Sequence, residues 1–348
     1  MSTFRHLDPG ARLVKGSPDQ GDVYVVPQLT QISVGFMQDP STFVANRMAP
    51  SVTVVQQSGK YLSYPRGYFF RDEMELRADG GESAGSGFAV DNTPQYYSDV
   101  WAWHTDIGPQ VRANAKTVDI DRAATMLCTN KAMLRREKLW LARYFTTGVW
   151  TTQIAGLPSG GGGLAGTTLT WNDANALPIK QIKAAIRTQQ GLTGYKPNKA
   201  VFSRDLWDLF CEHPNVINRI NAGQTPGGPA EVTLNMVAAW LGLSEVMVVQ
   251  AVETTSNEGQ TDTMAFVGNA GQLLLAYVPP SPGLFIPSAM YCFDWVADGL
   301  VGAVGNTVSR WYNQDRKATR YEIEMATDMK VISADLGTMM YNFNAAAA

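Results

Sequence analysis

The chain has 348 residues, 45% of them apolar, and 28 Lys and Arg against 31 Asp and Glu give a net charge of −3. That length bounds roughly two domains, and so much hydrophobicity with so little net charge excludes a disordered chain. It also excludes a protein that holds nucleic acid mainly through a basic surface. Charged residues are only 17% of the chain, below the roughly 25% of ordinary soluble domains. Nine Trp, 13 Tyr and 14 Met are present, and 17 Arg outnumber 11 Lys. Aromatic residues, Met and Arg are enriched at protein interfaces while Lys and Glu are depleted, so the composition hints at assembly.

Cys128, Cys211 and Cys292 lie more than 80 residues apart. An odd, widely spaced set reads as reduced thiols rather than a disulfide framework. The first sixteen residues hold no apolar run, so no secretory signal is expected. The longest stretch without charge or His, 263–293, is broken by Pro279, Pro280, Pro282 and Pro287. Such a stretch reads as strands and turns, not a membrane helix, and a soluble intracellular protein is the expectation.

In chain order, 1–60 shows only short β-like runs at 23–26 and 52–55 among Pro, Gly and Ser, which predicts an extended arm. Over 69–78 the chain alternates: Phe70, Asp72, Met74, Leu76 and Ala78 on one strand face, Phe69, Arg71, Glu73, Glu75 and Arg77 on the other. A Gly- and Ser-rich tip follows at 78–87. A return strand over 95–105 then places Tyr97, Asp99, Trp101 and Trp103 at alternate positions. A two-stranded ribbon of this kind over 61–107 is marginal alone in water and needs its own domain or another chain beneath it.

From 110 to 147 there is neither Gly nor Pro, and Ile120, Ala123, Leu127, Leu134, Leu141, Phe145 and Val149 recur on one helical face. Asp119 and Asp121 suit the start of a helix and Gly148 its end. Over 119–147 such a helix spans roughly 43 Å and reads as a spine. Beyond the Gly-rich run at 158–166 comes α/β alternation. Helices are predicted at 178–190, with Ile179, Ile182 and Ile186 inward and Gly191 at the end, at 205–213 and, after a Thr233 cap, at 234–241. Strands are predicted at 199–203, 245–252, 263–267 and 272–278. A final antiparallel pair is predicted at 320–325 and 329–334, and 342–348 reads as a tail.

Two literal motifs fail on context. Gly81, Ser83 and Gly85 match a G-x-S-x-G nucleophile elbow, but an elbow needs a buried apolar strand before it and a helix directly after. Here the preceding strand is heavily charged and Pro94 follows closely. Gly161, Gly163 and Gly166 match G-x-G-x-x-G, yet a strand-like TTLTW follows and no acid lies between Asp173 and Asp205; the run reads as a linker. His6, His104 and His213 are scattered, and Cys211 with His213 finds no second ligand pair for zinc. No cofactor or metal is expected, and no enzymatic activity.

The order of parts (arm, ribbon, spine helix, α/β block, terminal strand pair) resembles the major capsid proteins of tailed bacteriophages, the Hong Kong 97 type of fold. Local wording carries it further. Residues 199–220, KAVFSRDLWDLFCEHPNVINRI, resemble the strand, Trp- and Leu-rich helix and "P-x-V" step of that family's axial domain. Residues 239–252, AWLGLSEVMVVQAV, resemble the helix, "LG" and strand that follow. The resemblance implies an α+β Hong Kong 97-like capsid fold: an N-terminal arm at 1–60, an E-loop ribbon at 61–107, a P-domain with spine helix at 108–170, an A-domain at 171–300, and P-domain terminal strands with a tail at 301–348.

By the same resemblance the chain assembles with itself into pentamers and hexamers of an icosahedral shell around packaged phage DNA, contacted only non-specifically. Its location is the virion, its site of assembly the host cytoplasm, with no membrane partner. Arg66, Tyr68, Phe70, Arg71, Glu73, Arg77, Tyr97, Trp101 and Trp103 become subunit-interface candidates, intrachain packing being the alternative for each. The first thirty residues show no coiled-coil heptads, which implies a separate scaffolding protein or a scaffold segment already removed; a portal and a decoration protein are further partners in this family. Some relatives weld their shells by an isopeptide bond from a ribbon lysine, but no Lys lies between Lys60 and Lys116. An encapsulin-like nanocompartment shell is the nearest alternative, and a serine hydrolase using Ser83 a remote one.

Overall fold

The structure, a computed structural model, describes residues 38–115, 119–158, 167–221, 232–283, 286–296 and 308–345. Most of the expected arm and the whole Gly-rich run GGGLAG lie outside them. The described part of the arm is not loose. A single 3₁₀ turn leads into α1 (Ala45–Met48) and β1 (Ser51–Val54), and Phe43, Val44, Ala45, Met48 and Ala49 are buried in the main core. Burying these apolar groups holds the segment down; sequence alone missed it because four residues of helix leave no readable period.

β2 (Ser58–Lys60) and β3 (Gln95–Tyr97) form a short antiparallel pair, extended by a bridge from Ser63 to Asp91. Between them the chain leaves and returns as a long projection. The strand expected over 69–78 is not formed: apart from one 3₁₀ turn at Arg66–Tyr68, the segment has no regular structure. Its alternating pattern has nothing beneath it within this chain, and propensity without a partner does not make a ladder.

β4 (Asp99–Ile107), the return strand expected in the ribbon, pairs along its length with β14 (Ala318–Val331). The far side of β14 carries β13 (Val308–Asn313) and β12 (Met290–Trp295), and β1 joins β12 in parallel. The terminal pair expected at 320–325 and 329–334 is therefore one continuous strand, ordered from both sides. α2 (Pro109–Asn114) and the spine helix α3 (Ile120–Tyr144) cover this five-stranded sheet, with Ile107, Val111, Ala124, Cys128, Tyr321 and Ile323 packed between.

α3 begins where expected: the Asp119 side chain accepts the Arg122 N–H at 3.0 Å. Its 25 residues span about 37 Å. Its buried face differs from the expected one. Ala124, Cys128, Ala132, Arg136, Glu137, Trp140, Leu141 and Tyr144 point inward, whereas Leu127 and Met126 are exposed. Two charged residues occupy inward positions, so an apolar count along the helix selected a neighbouring stripe.

The second sheet runs β6-β5-β15-β11-β7-β8, from β5 (Thr152–Leu157), β6 (Thr167–Leu169), β7 (Lys199–Phe202), β8 (Glu245–Val248), β11 (Leu273–Ala276) and β15 (Gly337–Tyr341). Successive side chains alternate between its faces. Val201, Leu274 and Met339 join α3 and α1 in one core, and Ala200, Phe202, Leu273 and Leu275 join the helices of the other face. Those helices are α4 (Pro178–Thr193), α5 (Arg204–Glu212), α6 (Pro214–Asn221) and α7 (Leu234–Leu241). α4 passes the expected stop at Gly191 and ends at Gly194, whose φ of +73° supplies the left-handed cap. α7 begins at its Thr233 cap as expected. β9 (Val252–Thr254) and β10 (Met264–Phe266) form a separate antiparallel hairpin. The expected tail also packs: Phe343 is buried against Trp171, with ring centroids 5.3 Å apart.

Candidate subunit-interface surface

Three rings close the neck of the projection. Tyr64 meets Phe69 edge-on at 6.3 Å, and Phe88 lies 6.2 Å from each of them. Below them, Tyr61 and Tyr96 both stack on Phe293, at 5.5 and 4.6 Å, which joins the base to β12. Outward from the neck the apolar groups have no cover. Met74 is 94% exposed, Leu76 fully so, and Phe69, Phe70 and Phe88 each more than half. A contiguous apolar stretch bared on a segment with no core of its own marks an interaction surface.

The sequence-derived candidates fall into two groups. On the projection, Arg66 pairs with Asp335 at 2.8 Å. The Phe70 ring lies against Gly194 at the end of α4. The Arg71 guanidinium lies 5.4 Å from the centre of the Tyr68 ring and 3.8 Å from Glu73, which also accepts a hydrogen bond from Ser86. Arg77 is exposed at the outer end. Tyr68, Phe70, Arg71, Glu73 and Arg77 are thus brought onto one projecting segment with their surfaces largely open to solvent.

Tyr97, Trp101 and Trp103 are elsewhere. The Tyr97 N–H donates to Asp328 at 2.7 Å at the margin of the five-stranded sheet, leaving the ring exposed. Trp101 and Trp103 stand opposite Met325 and Ile323 on β14, on the face that α3 covers. Trp101 lies beneath the Arg135 guanidinium, 3.8 Å from the ring centre, and is half-buried; Trp103 is 37% exposed. These two aromatics pack within the chain because β4 belongs to the sheet, not to the ribbon in which the alternating pattern placed them. Sequence reading missed the Tyr64, Phe69 and Phe88 neck, and the spacing of three aromatics flanking a Gly-rich tip is the signal that could have found it.

Ser83 lies on the same irregular, exposed segment. No strand precedes it there and the next helix is α2, so the strained strand-to-helix turn of a nucleophile elbow is not formed. His213 is buried at the end of α5, its Nδ1 accepting the Asn215 N–H at 3.1 Å and its Nε2 3.2 Å from the Asp173 carbonyl. Among the described residues no three His, Cys, Asp or Glu side chains converge as a metal site, and no helix is long and apolar enough to cross a membrane. Burial pushes the Cys128 and Cys211 thiols up to about 11 and Cys292 up to about 12.

No protein-family profile and no curated protein sequence matches this chain. Solved structures do. A phage-related protein from Bordetella bronchiseptica superposes with a TM-score of 0.64 over 88% of this chain and 94% of its own, at 17% identity. The capsid chain of the cyanophage P-SCSP1u gives 0.59 over 92% and 93% at 13% identity. The capsid chain of an empty GTA particle gives 0.52 over 91% and 95%, also at 13%. Likeness across nearly the whole of both chains, element for element, establishes that this chain has the α+β fold of phage major capsid proteins, the fold its sequence resembles.

Proposed function

We propose that the chain is the major capsid subunit of a tailed phage, assembling with itself into pentamers and hexamers of a closed shell around packaged DNA. The observation that carries this reading is the projection: it holds Met74 and Leu76 bare at the end of an aromatic neck, on a fold shared with capsid chains. Burying apolar surface is the main driving force of association, and a projection that cannot fold back on its own core gains most by lying on a neighbouring subunit. Contacts of this kind join unlike patches head to tail, and they close into rings when the rotation permits. In this reading the projection is the E-loop, α3 with the five-stranded sheet the P-domain, and the six-stranded sheet with its helices the A-domain. The subunit's role is structural, its location the virion, and its further partners a scaffolding protein, a portal and a decoration protein. Sedimentation of the purified chain tests it: rings or closed particles are expected, and a monomer at every concentration and salt would contradict it.

A further inference from the structure

Charge is divided sharply within the α/β block. Residues 178–219 carry seven Lys and Arg against three Asp and Glu, whereas 220–309 carry seven Asp and Glu and not one Lys or Arg. The basic half forms a site. Lys183, Arg187 and Lys196 line an open cleft of about 410 Å³ between α4 and α7, floored by Trp240; Arg219 lies 5.7 Å from the centre of the Trp240 ring. Lys183 and Arg187 are one turn apart on an exposed helix face, where like charges repel and destabilise the helix. Neither is within ion-pair distance of a carboxylate among the described residues, and Lys196 donates to the Gly242 carbonyl at 2.7 Å. The cleft is positive and partly aromatic.

The acidic half ends in a matching projection. Glu245, Glu253 and Asp294 are committed to Arg47, Lys138 and Arg136. Glu258 and Asp262 lie in the exposed turn at 255–263 between β9 and β10. That turn is well defined, with the Thr255 N–H donating to the Thr263 carbonyl at 2.8 Å and Gln260 to Asn257 at 3.1 Å. β10 beneath it exposes Met264 and Phe266. The turn therefore offers two carboxylates beside an apolar flank, the complement of three cations beside a Trp. The two features cannot meet within one chain. α4 and α7 pack on one face of the six-stranded sheet, while the hairpin base, Ala251 and Val267, packs with α3 on the other.

We infer that the acidic β9–β10 turn of one subunit docks into the Lys183, Arg187 and Lys196 cleft of a second copy, as the head-to-tail contact that sets the register of the ring. This rests on the shell-subunit reading. A contact on opposite faces of the protomer is heterologous and closes by rotation, and complementary charge across it sets orientation and rejects wrong pairings.

The test compares the full chain with three variants: Lys183→Glu/Arg187→Glu, Glu258→Lys/Asp262→Lys, and the chain carrying all four changes. All four positions are exposed, and circular dichroism checks that each variant folds. The inference expects each one-sided reversal to lower the yield of particles by about tenfold or more at 0.1 M salt, since tenfold needs only about 1.4 kcal/mol, and the four-site variant to recover it, because each acidic cleft then meets a basic turn. One-sided reversals that assemble like the parent chain would overturn it. So would loss from the cleft reversal alone with no rescue, which would mean that the cleft takes some other anionic partner. A failure of the shell reading shows separately, in the parent chain, which would then form no particle at all.

Discussion

Glu137 of the spine helix accepts the backbone N–H of Ala45 at 2.8 Å, and that of Val44 at 3.0 Å. A carboxylate from the middle of one helix thereby caps another of only four residues, and fixes the segment that leads from the N-terminal region into the core. Burial is the dominant influence on this group and pushes its carboxyl up to about 7, against the two backbone hydrogen bonds that favour the ionised form.

An acid whose affinity for protons is higher folded than unfolded takes up a proton on folding between those two values. Stability from Glu137 is therefore greatest at and below about pH 4.5, falls as the pH rises toward about 7, and is level above that, a difference on the order of 3 kcal/mol. Glu137→Gln should remove the slope. Urea denaturation of the subunit at several pH values between 5 and 7.5 reads this directly; equal slopes for the two proteins would contradict it.

One turn-step away, Arg136 meets Asp294 at 3.2 Å with both side chains buried, and its Nη2 also reaches Ser51 at 3.0 Å. This pair ties α3 to β12 and β1. Removing one partner leaves the other buried and unpaired, at a cost of about 3 to 5 kcal/mol. Asp294→Ala should therefore be severely destabilised. Arg136→Met/Asp294→Leu, which leaves neither charge, should recover most of the loss by thermal denaturation.

The same two residues explain where the sequence was legible. Caps, turns and apolar runs were readable: the Asp119 start of α3, the Thr233 cap of α7, the Ile179, Ile182 and Ile186 face of α4, and the strand at β7 all follow from local chemistry. The inward face of α3 was not, because Arg136 and Glu137 are buried only by virtue of partners 158 and 92 positions away in the chain. β14 was split in two on paper because no local signal tells that strands on both sides hold it continuous. Of the interface candidates, those on the projection were legible from alternation and a Gly-rich tip. Trp101 and Trp103 were misplaced because an alternating strand reads the same whether it pairs in a ribbon or in a sheet.

For Trp101 the expected effect is thus on the fold. Trp101→Ala should lower subunit stability by about 2 kcal/mol, since it removes a half-buried ring and its cation–π contact. A double-mutant cycle with Arg135→Ala should give a coupling of about 0.5 to 1 kcal/mol. A coupling near zero would dissolve the contact.

Shortening the projection should act in the opposite sense. Deleting 71–86 keeps the Tyr64, Phe69 and Phe88 neck and the Ser63 to Asp91 bridge, so the subunit should fold with unchanged melting temperature yet fail to form particles. Normal particles from this deletion would remove the projection from the assembly.

Particles of this chain should also be free of covalent links through the projection. No primary amine lies between Lys60 and Lys116, Arg66, Arg71 and Arg77 stay protonated and cannot act as nucleophiles, and Cys128 and Cys292 are buried. Boiled, reduced particles should run as one band near 37.9 kDa; a ladder of multimers would contradict this.

The central claim is that this fold builds a closed shell, and electron microscopy of the purified, assembled protein tests it most directly. The account predicts isometric particles of uniform diameter whose averages resolve rings of five and six subunits, with the 62–90 projection lying across a neighbouring subunit. Images holding only monomers, or open sheets and filaments without five-fold vertices, would contradict it.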